Sequence, residues 1–414
     1  MNFLPFVVTL FLVMMMFFLY HPHKASISKI NQGDHQARFP FLNLTCNQKC
    51  PLIASLQKQN STLFISNYTE IDRNSVKYKH IRWKLPPYSK IPKSRDRPLT
   101  AMNFISKFHK AKGYWPNENE NIKRATALVD SFFSKLRELG VHIKSNKNET
   151  NKLPEIYHYI WLKCHDFTIV NQLSMISLAR IILENKKSLH RSQVIFHTDC
   201  PPKDSIFSRI IKSFPNFKIQ KLPDYRMLTK ITRETISKKI LKIEHVSDVY
   251  RLMILHKLGG IYLDSDILML KSHNNFIENY QDKVVLGEQS KTDIANGFII
   301  SGSENKLISK WLLEMTYFDG TWRFSTYLAK FLWRTFPDEI HVERATMIRP
   351  RIQEGMVIYN GYFDWQQNYN VHIYKKSLEM RLDKKLKYFG DFDCMDNSFG
   401  EIARWILYRN YDPC

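Results

Sequence analysis

Asp264 and Asp266, separated by Ser265, are the side chains of this sequence best suited to hold a hard cation. Two carboxylates on one face at a strand end bind Mg²⁺ or Mn²⁺ through oxygen and leave coordination positions open for water and diphosphate oxygens. A cation held there would neutralise the charge that develops on a departing nucleoside diphosphate. Taken alone, a D-x-D also fits solvated acids at a strand end. Upstream, Asp248 and Arg251 stand three apart, the spacing that puts two side chains on one helix face. By themselves they fit a surface ion pair better than a site.

The elements that must position these residues are legible around them. Val246, Val249, Met253 and Leu255 supply the apolar stripe of a helix over Val246 to Leu258, with Ser247 able to cap its start. Gly259 and Gly260 let the helix stop and the backbone turn sharply. A strand is expected from Ile261 to Leu270, and alternation along it sends Tyr262, Asp264 and Asp266 to one side. Further strands are expected at Ile156 to Leu162, Gln193 to His197, Phe217 to Leu222, Lys283 to Gly287 and Gly297 to Ser301, with an apolar-periodic helix from Ile169 to Leu183. Strands separated by helices imply an α/β fold whose mostly parallel sheet is covered on both faces, with ligands at the carboxyl ends of the strands. Ahead of these, Ile122, Ala125, Val129, Phe132, Leu136 and Leu139 recur at helical spacing up to Gly140, predicting a helix that packs on the following body.

The series S-D-x-x-R, helix, G-G-x-Y-x-D-x-D closely resembles the sugar-donor motif of the retaining glycosyltransferases with DXD-containing sugar-binding regions. Three further segments extend the likeness. Ile156-Tyr-His-Tyr-Ile-Trp161 resembles the family's first strand, Ala295-Asn296-Gly297 its N-G step, and Asn370-Val-His-Ile-Tyr-Lys-Lys-Ser377 a C-terminal stretch of the animal α1,4-galactosyl- and α1,4-N-acetylglucosaminyltransferase branch. The resemblance implies a GT-A fold, that is, a Rossmann-like nucleotide-diphospho-sugar transferase. It implies that Asp264 and Asp266 hold the metal and diphosphate, with His372 completing the metal shell. Asp248 and Arg251 would hold donor-sugar hydroxyls, Tyr262 would line the donor pocket, Trp161 would pack on the donor base, and Asn296 and Gly297 would lie near the donor. Asp248, Arg251 and Asp266 are the candidate catalytic residues, with Arg251 and the metal stabilising the leaving group. The implied cofactor is Mn²⁺ or Mg²⁺, and the implied donor is a UDP-sugar, UDP-galactose or UDP-N-acetylglucosamine. The acceptor would be a glycan on lipid or protein, reached with retention and an α-linkage. Two other readings stand beside this one: a mannosyltransferase using GDP-mannose, and a non-catalytic glycan-binding protein on a transferase scaffold. The stretch Gly320 to Leu328 departs from the α1,4 branch, because it lacks that branch's Gln-Gly-Pro-like step.

The rest of the chain sets the context. Phe3 to Tyr20 carries no ionisable side chain, and at about 18 residues it is near the lower limit for crossing a bilayer. We expect a single-pass anchor rather than a cleaved signal. Lys24 and Lys29 after the run argue weakly against a cytoplasmic N-terminus. Glycosylation triplets at Asn43, Asn60, Asn67 and Asn148 favour a luminal body, and with it a type II protein of the Golgi membrane. Six cysteines, Cys46, Cys50, Cys164, Cys200, Cys394 and Cys414, fit disulfides in an oxidising compartment better than a zinc site. The formal charge of +22 is spread along the chain without a basic tract or nucleic-acid signature, so nucleic acid is not the expected partner. No HExxH, GxSxG or Walker A pattern supports a protease, serine hydrolase or P-loop enzyme. The expected organisation is an anchor over 1–22, a stem over 23–95, a helical leader over 96–150 and a catalytic domain over 151–414.

Overall fold

The computed structural model describes residues 118–143, 153–203, 205–290, 293–320, 325–350, 357–374, 386 and 388–409. In chain order they form α1 (Glu118–Glu138), β1 (Ile156–Trp161), α2 (Ile169–Glu184), β2 (Gln193–Thr198), α3 (Ser205–Lys212), β3 (Phe217–Lys221), α4 (Tyr225–Thr235) and α5 (Ile243–Leu258). There follow β4 (Gly260–Leu263), β5 (Ile267–Met269), α6 (Asn274–Asn279), β6 (Val284–Glu288), β7 (Ile294–Ser301), α7 (Lys306–Met315), α8 (Thr326–Thr335), β8 (Ile340–Glu343), β9 (Asn370–His372) and α9 (Ser398–Tyr408). Among the described residues the main sheet has seven strands in the order β3-β2-β1-β4-β7-β6-β8. β1 runs parallel to β2 and β4, β2 to β3, and β6 to β8, whereas β7 is antiparallel to both neighbours. The expected mixed α/β fold with a mostly parallel sheet is therefore observed.

Alternation along β1 shows how both faces are covered. The Tyr159 hydroxyl lies 3.5 Å from Ser174 Oγ on α2, while His158 points the other way. His158 Nδ1 lies 3.2 Å from His197 Nε2, and His197 Nδ1 lies 3.4 Å from the Tyr250 hydroxyl on α5. On the α5 face, Phe132, Phe133 and Leu136 of α1 join Tyr250, Met253, Trp311, Leu328 and Ile299 in one buried core. Each such fully buried side chain contributes about 1.5–3 kcal/mol of transfer free energy, which ties α1 to the sheet body. Gly140, at φ +78°, ends the α1 segment as its position predicts.

Two local expectations are corrected. The helix before the glycines starts at Ile243, so Lys242, not Ser247, is its N-cap residue, and Ser247 lies inside the first turns. The strand expected from Ile261 to Leu270 is broken: β4 ends at Leu263 and β5 begins at Ile267 in a separate two-stranded sheet with β9. The physical reason is the pairing. β4 is hydrogen-bonded between β1 and β7, while β5 pairs antiparallel with β9, so the chain must turn between them. Asp264 and Asp266 converge through that turn, not through strand alternation.

Cys164 and Cys200 form a disulfide with Cα atoms 4.8 Å apart, and Cys394 is disulfide-bonded as well. Among the described residues no helix is long and apolar enough to cross a membrane. The apolar run Phe3 to Tyr20, the stem, the four glycosylation triplets, Cys46, Cys50, Cys414 and Lys375 to Ser377 lie outside the described residues.

Candidate active site

The turn between β4 and β5 carries both acids. It is closed by the Ile267 amide donating to the Asp264 carbonyl at 3.1 Å. Its two ends are fastened elsewhere: the Asp264 amide donates to the Gly297 carbonyl of β7 at 2.7 Å, and the amide of Ile373, just after β9, donates to the Asp266 carbonyl at 3.0 Å. The β5–β9 register sets Ile267 opposite His372, which brings that imidazole to the turn. Ligand atoms of Asp264, Asp266 and His372 all lie within 4.8 Å of one another. His372 Nε2 is 3.2 Å from Asp266 Oδ1, and its ring stacks on Tyr374 at a centroid distance of 4.0 Å. Burial pushes the His372 pKa down, but Asp266, through charge and hydrogen bond, and Asp264 more than offset this, so it is raised. Gly297 is required sterically. A β-carbon there would meet Asp264 Oδ2 at 2.5 Å and the His372 ring at 3.2 Å.

Behind the acids lies a buried cation. The Arg251 guanidinium, from α5, donates through Nη1 to the Asn296 carbonyl at 2.6 Å and through Nε to the Ser247 carbonyl at 3.2 Å. Its Nη2 reaches Ser247 Oγ at 3.2 Å, Asp248 at 3.1 Å and Asp264 at 3.5 Å. The guanidinium carbon sits 4.3 Å from the centre of the Tyr262 ring. Tyr262 is buried and reaches the site through its hydroxyl, which donates to Asp264 Oδ1. Asn296 Nδ2 donates to Asp248 Oδ1 at 2.8 Å and to Ser325 Oγ at 2.6 Å, linking β7, α5 and the start of α8. Burial raises the Asp248 pKa, and the nearby Asp264 adds to this against the pull of Arg251, Ser325 and Asn296. Arg251 resists the burial penalty because Tyr262, Asp264, Asp248 and Asp266 surround it, and its pKa is raised. The three-residue spacing of Asp248 and Arg251 thus produces a buried ion pair under the site, not a solvated surface one.

Trp161 ends β1, on the same sheet edge as Leu263, since β1 and β4 are parallel. Its indole donates to the His165 carbonyl at 3.0 Å and meets Phe167 edge-on at 4.6 Å. The neighbouring rim is tied together by Asp199, whose carboxylate accepts from the Lys163 amide at 3.0 and 3.1 Å and from the Tyr225 amide at 3.1 Å, and by the Cys164–Cys200 disulfide. The carboxyl ends of β1, β2 and β3 are therefore braced where a nucleotide binds in sheets of this kind.

Two further residues escaped the sequence reading. Asn171 of α2 donates to Ser265 in the turn, and Ser325 accepts from Asn296. For Asn171 a signal existed: Asn171, Gln172, Ser174 and Ser177 interrupt a helix that is apolar on every side, and polar groups on such a helix need partners. Ser325 offered none.

The donor set fits a divalent cation of the Mn²⁺ or Mg²⁺ type. Two carboxylates and an imidazole converge on one point, with a glycine in place of the side chain that would crowd them. Comparison with curated protein sequences gives no match. Among solved structures the chain is similar to a PaToxG glycosyltransferase, with 13% identity, a TM-score of 0.33 and 71% of this chain and 98% of that one covered. It is similar to mouse xyloside xylosyltransferase 1 in its apo form, with 12% identity, a TM-score of 0.37 and coverages of 53% and 97%. It is also similar to the mannosyltransferase Ktr4p from S. cerevisiae in complex with GDP, with 13% identity, a TM-score of 0.20 and coverages of 41% and 50%. At these scores the likeness is slight. The sequence match is direct: residues 180–283, which contain α5, the paired glycines and the Asp264–Asp266 turn, match the family described as a glycosyltransferase sugar-binding region containing DXD motif. The match is confined to that segment, and the rest of the chain lies outside it.

Proposed function

We propose that this chain is a divalent-cation-dependent glycosyltransferase of GT-A type, moving a sugar from a nucleotide-diphosphate donor to a glycan on lipid or protein with retention of configuration. The observation that carries the reading is the convergence of Asp264, Asp266 and His372 within the matched motif and beside it. These three residues would hold Mn²⁺ or Mg²⁺, which, when bound, supplies positive charge to a departing diphosphate. Asp248 and Asn296 present carboxylate and amide groups beside the turn for donor-sugar hydroxyls. Arg251, locked by Ser247 and the Asn296 carbonyl, keeps a fixed positive charge under the acids and spares them mutual repulsion. Because these groups are held by the fold before any ligand arrives, little reorganisation is needed when charge develops. Trp161 stands at the rim for a nucleobase. UDP-galactose and UDP-N-acetylglucosamine are the first donors in this reading, and GDP-mannose is the comparator. The Phe3 to Tyr20 run would anchor the protein in the Golgi membrane with a luminal, N-glycosylated body.

The test is donor hydrolysis and transfer by the purified protein with Mn²⁺, with Mg²⁺ and with chelator, over a panel of UDP- and GDP-sugars. Turnover should require the cation, and Asp266→Asn should lower it by about 100-fold or more while the thermal transition is retained. A folded protein inert toward every donor, or one whose turnover ignores both chelator and Asp266→Asn, sinks the proposal.

A further inference from the structure

We infer that Asn171 on α2 is a positioning residue for the cation site, fixing the turn that aims Asp264 and Asp266; the inference rests on the cation-binding reading above. The argument begins with β5, a strand with one edge paired to β9 and the other facing a helix. A helix consumes its own amides and carbonyls, so it cannot pair with a strand edge through its backbone. α2 does so through side chains. Asn171 Nδ2 donates to the Ser265 carbonyl and to Ser265 Oγ, both at 3.0 Å. Ser174 Oγ donates to the Ile267 carbonyl at 2.6 Å, and Ser177 Oγ accepts from the Met269 amide at 2.8 Å.

The two periodicities match. Residues 171, 174 and 177 form one stripe of a helix, residues 267 and 269 are alternate positions of β5 whose backbone groups address that helix, and Ser265 meets the same stripe from the turn just before β5. The lower rungs hold a strand. The first rung differs in kind, because Ser265 is the residue between the two candidate ligands. Asn171 is itself immobilised: it is buried, and its Oδ1 accepts from the Thr168 amide at 3.1 Å and from Thr168 Oγ1 at 2.7 Å. Both N–H groups and the carbonyl oxygen of the amide are therefore committed, so the side chain cannot rotate without breaking bonds on both sides. Through it the N-terminus of α2 sets the peptide plane at Ser265, and that plane sets the directions in which the flanking carboxylates leave the backbone. Contacts of this kind, which orient metal ligands without touching the metal, are worth 10- to 100-fold in affinity in metal sites generally.

The test reads metal binding directly, without turnover. Mn²⁺ is titrated into the full chain, with and without UDP, and free Mn²⁺ is followed by electron paramagnetic resonance. Asn171→Ala should weaken Mn²⁺ binding by about 10-fold or more. Ser177→Ala, which removes a rung of the same helix away from the turn, should lower the thermal transition yet hold Mn²⁺ affinity to within about twofold of wild type. Ser265→Ala loses only the hydroxyl contact and should weaken binding by roughly threefold, which keeps the question answerable if Asn171→Ala does not fold. Equal losses in Asn171→Ala and Ser177→Ala would reduce Asn171 to a structural part and overturn the inference, as would unchanged affinity in Asn171→Ala or Ser265→Ala. Wild type that binds no Mn²⁺ under either condition overturns the cation site itself and the inference with it, a result distinct from a wild type that binds and a variant that binds equally well.

Discussion

At Gly297 a single methyl group is enough to close the candidate cation site. Its β-carbon would intrude on Asp264 Oδ2 and the His372 ring, two of the three proposed ligands, and neither can retreat freely. Asp264 is held by the Tyr262 hydroxyl and faces Arg251, while His372 is stacked on Tyr374. Gly297→Ala is therefore expected to weaken Mn²⁺ binding by about 10-fold or more. Gly297 has no left-handed backbone to relieve, so the thermal transition should stay within a few degrees of wild type. Binding titration beside a thermal melt checks both halves, and a variant that binds Mn²⁺ normally would remove the steric argument.

On the scale of elements, the junction between α5 and β4 depends on two glycines, each with a positive φ and each packed where a β-carbon would meet backbone. Gly259 (φ +66°) leaves the helix in a left-handed conformation, and Gly260 (φ +106°) brings its Cα close to β1, where a β-carbon would lie 2.4 Å from the Ile156 carbonyl oxygen. The His158 ring nitrogen holds the Gly259 carbonyl at 2.9 Å and fixes the crossing. Gly260→Ala combines a forbidden φ with a backbone clash and should destabilise the protein by roughly 3 kcal/mol, measured as a shift in the urea midpoint. A midpoint equal to wild type would contradict the geometry. Most elements here were legible in the sequence because period and punctuation agreed: β1, β2, α2 and the stop at Gly140 all fall within a residue or so of expectation. The break between β4 and β5 was not. Ile261 to Leu270 alternates without a glycine or proline, and only the competition of two different partner strands, β7 and β9, splits it. The site followed the same rule. Asp264, Asp266, Asp248 and Arg251 stand out only as one combined motif, whereas Asn171 and Ser325 act across sequence separations of 94 and 29 residues, where local pattern carries no information.

For the whole molecule, acid is the expected weakness. Burial lowers the pKa of His158 to about 4, of His256 to about 4 and of His273 to about 3. These groups are neutral in the native state and take up protons on unfolding below an ordinary histidine pKa of about 6.5. Their contribution to stability is complete above that value and is lost as pH falls toward 4, by roughly 1.4 kcal/mol per pH unit for each histidine. Chemical denaturation at pH 7 and at pH 5 should show a clearly lower midpoint at pH 5, and equal midpoints would show that these rings are not buried neutral.

The pairing of β5 with β9 has one more consequence, for how the protein is made. His372 reaches Asp266 across 106 residues of chain, well beyond the matched motif that ends at residue 283. A ribosome could release the entire recognisable motif and still have produced only two of the three proposed ligands. Competence to take up the cation would then arrive late in synthesis, when the segment carrying β9 comes back to lie along β5, so that an unfinished chain would hold the matched motif without the third proposed ligand.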